Sequence, residues 1–73
     1  MTAQGVDYLV KMANDIARNL AAVGDEAAVA LKVADHINRF WSPDMRCQLV
    51  EHAEAGGEEL LPVVKLAVGG IKV

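Results

Sequence analysis

At 73 residues, with a net charge of −3 and a pI of about 5.1, the chain has room for one small domain. It lacks the clustered Lys and Arg of a nucleic-acid or anionic-membrane binder. One cysteine excludes an internal disulfide, and no run of about 18 apolar residues is available for a transmembrane helix.

The first helix is expected over residues 7–23, with Asp7 as its N-cap. At about 100° per residue, Leu9, Met12, Ala13, Ile16, Leu20 and Val23 share one face. Lys11, Asn14, Asp15, Arg18 and Asn19 fall opposite. Gly24 stops this helix, and Asp25 caps a second over residues 26–40. Its inner stripe is Ala27, Ala30, Val33, Ala34, Ile37 and Trp41, while Lys32, Asp35 and Arg39 face away. Asp35 and Arg39 form an i,i+4 pair in the favourable order. Ser42-Pro43-Asp44 is the strongest local signal: a cap, a proline with no N–H to lose, and an acid in the first turn. A third helix follows over residues 43–55, with Met45, Leu49 and Ala53 inward and Cys47, Glu51 and Glu54 outward. Gly56-Gly57 ends it. Residues 58–68 suit a short helix or, through their valines, a strand; Glu58-Glu59 and Pro62 favour the helix. That segment is apolar nearly all round, so it is expected to be buried on more than one side, one of them against another chain. Gly69-Gly70 then releases a short tail. The pattern is all-α, a single domain over residues 1–73 with three main amphipathic helices and a short C-terminal one.

Hydrophobic residues make up 53% of the chain. A domain this small buries only about 60% of its unfolded surface, so some of this apolar surface is expected to meet a partner. No phosphate loop, Cys-x-x-Cys or His-Glu-x-x-His occurs. His36 and His52 are too far apart in sequence to share a helical face as ligands, so no catalytic, cofactor-binding or metal-binding residue is expected. Both histidines read as boundary residues donating to backbone carbonyls, and Cys47 reads as an exposed thiol. No basic stretch followed by an apolar core opens the chain, so no secretory signal is expected and the location is expected to be cytoplasmic.

The bulky, directional residues gather at the junction of the second and third helices. Phe40 and Trp41 cannot both enter a thin core: Phe40 is expected inside with Ile37, and Trp41 at an interface. Arg46 breaks two local rules, lying on an apolar side and placing a cation in a helix's first turn. It is expected either to bridge to an acid within the chain or to bond a partner's carboxylate or carbonyl. The residues expected to bind a partner are His36, Arg39, Trp41, Arg46, Leu61 and Val64.

The block Ala34-Asp35-His36-Ile37-x-Arg39-Phe40-Trp41-x-Pro43-x-Met45-Arg46 carries a family resemblance. With residues 9–17 before it and Leu49, His52, Gly56-Gly57 and Leu60-Leu61-Pro62 after it, it resembles the delta subunit of the soluble NAD-dependent formate dehydrogenase complex. The likeness covers about residues 9–68. It implies an accessory subunit without an active site, docking on the catalytic subunit to support assembly, stability or cofactor maturation. Molybdopterin, iron–sulfur clusters, FMN and NAD are then expected in the catalytic and electron-transfer subunits, none in this chain. The chain departs from the family pattern at Asn19-Leu20, Ser42 and Leu61. The alternative reading is a free-standing helical homodimer acting as an adaptor or regulator. In either case the isolated chain is expected to self-associate.

Overall fold

The computed structural model describes residues 5–73. Among these residues the regular elements are all helical: α1 (Val6–Asn19), α2 (Glu26–Phe40), α3 (Pro43–Glu54) and α4 (Pro62–Val68). A 3₁₀ turn at Ala21–Val23 follows α1.

Asp7 is not the cap of α1. The helix begins one residue earlier, behind Gly5 and with no side-chain cap, and Asp7 complements the dipole from the first turn. The helix also stops before residue 23. The Leu20 N–H is shared between the Ile16 and Ala17 carbonyls, at 3.1 and 3.2 Å, which tightens the last turn into the 3₁₀ stretch. The tighter pitch swings Val23 outward, to 49% exposure, off the face on which α-helical spacing had placed it.

The next two starts obey their sequence signals. Asp25 Oδ1 accepts from the Ala28 N–H at 2.9 Å, and Ser42 Oγ accepts from the Met45 N–H at 3.2 Å, with Pro43 in the first turn. α3 ends at Glu54, and the chain turns through Gly56 and Gly57 with φ of 131° and 54°. Both conformations favour glycine. At Gly57 a Cβ would also lie 3.1 Å from both Ala53 Cα and Leu60 Cδ1.

Residues 58–61 precede the last helix rather than opening it. Pro62 starts α4, and the backbone of Glu59 and Leu61 is instead held by Asn14. Asn14 Nδ2 donates to the Glu59 carbonyl and Oδ1 accepts from the Leu61 N–H, both at 3.0 Å. Asn14, expected on the outer face of α1, is therefore a buried polar residue. It ties the α3–α4 loop to α1, and both of its polar atoms are satisfied.

Ile37, Leu49, Val33 and Val64 are the largest fully buried side chains. Around them lie Leu9, Val10, Ala13 and Ala17 of α1, Val29, Ala30 and Ala34 of α2, and Leu60, Ala67 and Ile71 from the C-terminal part. Ala27, expected in the stripe of α2, is exposed and Val29 takes its place inside. α4 packs most extensively on α2. Most of its apolar residues are absorbed into the chain's own core, and Leu66 is the large one left substantially exposed. The residues after Gly69 are not a released tail: Ile71 is buried, and the backbone on both sides of it is bonded to Asn38.

Candidate docking surface

The α2–α3 junction is built around a change of direction at Trp41. Phe40 is the last residue of α2, and Trp41 turns the chain into an extended conformation with φ −89° and ψ 144°. This turn sends the indole inward, to 5% exposure, and leaves the Phe40 ring outside at 70%. The two aromatics thus occupy the reverse of their expected places. Ile37 is fully buried, as expected.

Arg46 explains its own position. Its guanidinium donates from Nη1 to the Trp41 carbonyl at 2.7 Å and to the Asn38 carbonyl at 3.4 Å, and from Nε to the Lys72 carbonyl at 2.8 Å. Neither an internal acid nor a free outward-facing cation is observed. The side chain caps the C-terminal end of α2, whose last carbonyls lack helical partners. There a cation complements the dipole.

His36 and Arg39 remain at the surface of α2. The His36 ring is half-buried against Phe40, with centroids 4.8 Å apart and planes at 48°. Arg39 Nε lies 3.1 Å from Asp35 Oδ2 in an exposed pair. Val64 is fully buried and Leu61 is half-buried. The six residues read from the sequence therefore do not form one patch. Trp41 and Val64 are core, Arg46 is an internal cap, and His36, Arg39 and Leu61 reach solvent.

A further apolar surface lies between α2 and α4. A groove of about 300 Å³ is lined by Ala27, Ala30, Leu31, Ala34, Leu66, Ala67 and Gly70. Its floor is made of small residues, and Leu31 and Leu66 stand at it with 73% and 53% of their surface exposed. A second hollow, about 270 Å³, has Ala17, Val29, Leu61 and Val63 among its walls, so α4 contributes to both. Leu31 was not picked out by spacing because it belongs to neither stripe of α2. Its signal was a leucine on the helix face that also carries Asp35.

Two pairs of polar side chains lie outside this surface. Cys47 Sγ lies 3.3 Å from Glu51, and this hydrogen bond and the carboxylate's charge push the thiol's pKa up. A thiol held in its protonated form is a poor nucleophile. His52 Nε2 lies 2.9 Å from Glu59 Oε1, and that bond holds the Glu59 carboxyl below its ordinary range. Among the described residues, no three His, Cys, Asp or Glu side chains are gathered to hold a metal ion. No described helix is long and apolar enough to cross a membrane.

Compared with known proteins, residues 8–68 match the family model of the NADH-dependent formate dehydrogenase delta subunit FdsD. No curated protein and no solved structure matches the chain.

Proposed function

Because this chain belongs to the FdsD family of formate dehydrogenase delta subunits, its match spanning most of its length, we propose that it is a non-catalytic accessory subunit that docks on the catalytic subunit. The observation that carries the docking reading is the α2–α4 groove with Leu31 and Leu66 exposed beside it. Two large aliphatic side chains over a floor of alanine and glycine allow the close backbone approach that packed helical interfaces need. Exposed apolar surface of this kind marks interaction sites. His36, Arg39 and Leu61 join the proposal as solvent-reaching contacts, with Phe40 added as an exposed aromatic of the type that anchors interfaces.

Redox chemistry belongs, in this reading, to the other subunits. Iron–sulfur clusters are commonly held by four cysteine thiolates. This chain has one, and its thiol is held by Glu51. The donors present do not fit such a cluster, and we assign molybdopterin, iron–sulfur clusters, FMN and NAD to the partner subunits. Docking then supports assembly, stability or cofactor maturation of the catalytic subunit, and a cytoplasmic site of action is part of the proposal.

The test is co-expression of the complex with and without this chain. The chain purified alone is expected to show no formate oxidation and no stoichiometric metal. The complex made without it is expected to be recovered in lower yield or with less molybdenum or tungsten. Equal yield, metal content and activity without the chain would overturn the accessory role, and formate-dependent NAD reduction by the chain alone would overturn its non-catalytic character.

A further inference from the structure

Residues 70–72 lie against the α2–α3 junction, with the Gly70 and Ile71 N–H groups donating back to the Ala67 and Val68 carbonyls of α4 at 2.8 and 3.0 Å. The Asn38 carboxamide donates from Nδ2 to the Gly70 carbonyl at 2.9 Å and accepts at Oδ1 from the Lys72 N–H at 2.8 Å. Arg46 Nε donates to the Lys72 carbonyl at 2.8 Å. Between these backbone contacts the Ile71 side chain is buried in the core cluster, at 7% exposure. Gly70 lies so close to α2 that a Cβ there would sit 3.2 Å from Ala34 Cβ. These side chains therefore read the segment as backbone at both ends and one aliphatic residue in the middle, with a close fit against Ala34 at the first position. Backbone capture combined with a pocket for one side chain is a general way of recognising a peptide.

Beyond the docking role above, and next to its groove at Ala34 and Gly70, we propose that Asn38, Arg46 and the Ile71 pocket are a peptide-binding site. Its ligand class is a glycine–aliphatic segment, and the chain's own residues 70–72 fill it in cis. The Asn38 and Arg46 contacts make no demand on the side chain of residue 72, and the double glycine at 69–70 links the segment to α4. When the internal occupant is weakened, the same site takes the same sequence from outside.

The probe is a fluorescein-labelled hexapeptide of residues 68–73, Val-Gly-Gly-Ile-Lys-Val, titrated by anisotropy against full-length protein. Ile71→Ser in the full chain weakens the internal occupant while leaving Asn38 and Arg46 in place, and this variant is expected to bind the probe saturably. Wild type, its own segment seated, is expected to bind at least about tenfold more weakly, because only the open fraction is competent. Adding Asn38→Ala to Ile71→Ser removes two hydrogen bonds and is expected to weaken binding by about tenfold or more. A probe carrying the Ile71→Ser change is expected not to bind. Lys72→Pro, which deletes the N–H that Asn38 accepts, is a second way to open the site. Absence of saturable binding to either folded opening variant, or binding indifferent to Asn38→Ala, overturns the proposal. Loss of helical circular dichroism in both opening variants also overturns it, since residues 70–72 would then be an inseparable part of the core.

Discussion

The guanidinium of Arg46 stands in the first turn of α3, where a cation opposes the local dipole, yet the carbonyls of Asn38 and Trp41 that it meets belong to the end of α2. For α2 the same charge is favourable. That a local rule was broken was legible in the sequence; which neighbour compensates was not, because it depends on how α3 folds back across α2. The planar fork serves three carbonyls at once, which a lysine ammonium does less well. Arg46→Lys is therefore expected to cost about 1.5–3 kcal/mol, the range for hydrogen bonds to a charged group, read from urea unfolding. Phe40 and Trp41 make the same point about direction. Their adjacency at a helix end showed that one must stay outside, but the choice is made by the extended backbone at Trp41. Trp41→Ala is expected to cost about 3–5 kcal/mol as a core truncation. Phe40→Ala should stay within about 0.5 kcal/mol, and equal losses in the two variants would refute the assignment.

The helix starts at Asp25 and Ser42-Pro43 were readable because each depends on a few neighbouring residues. The end of α1 and the start of α4 were not, for a shared physical reason. Asn14 looks polar and outward on a helical wheel, but it is the group that satisfies the loop entering α4. Its pairing spans more than half of the chain, so no local pattern reports it. Asn14→Leu would leave the Glu59 carbonyl and the Leu61 N–H without their partner and is expected to cost about 1–3 kcal/mol for each group left buried. Hydrogen exchange should show the loss first as faster opening of α4, with α2 less affected. The same loop carries the His52–Glu59 bond. Because that bond lowers the Glu59 pKa from 4.5, the folded state binds its proton less readily than the unfolded chain. The stabilisation is then present above 4.5 and lost as pH falls through the lower, folded value. Urea midpoints followed into acid are expected to fall less steeply in Glu59→Gln than in wild type; parallel curves would show that this pair does not contribute to the pH dependence.

For the whole molecule, the radius of gyration is 11.1 Å, close to the roughly 11 Å that compact-domain scaling gives for this length. The apolar excess in the composition was legible, and so was its division between core and surface in outline. The location of the surface share was not. The segment apolar on nearly every side folds mainly onto α2, and the exposed share sits on Leu31 and Leu66, residues from helices distant in sequence that meet only in the fold. On the proposed docking role, another subunit of the formate dehydrogenase complex covers that groove. The most direct test pairs Leu31→Asp with Leu66→Asp in one chain, co-expressed with a tagged catalytic subunit. Both positions are solvent-exposed, so the isolated variant should keep its stability to within about 1 kcal/mol, about 0.5 for each site. This folded variant is expected no longer to co-purify with the catalytic subunit, whereas wild type does. Co-purification of the double variant at the wild-type ratio would contradict it.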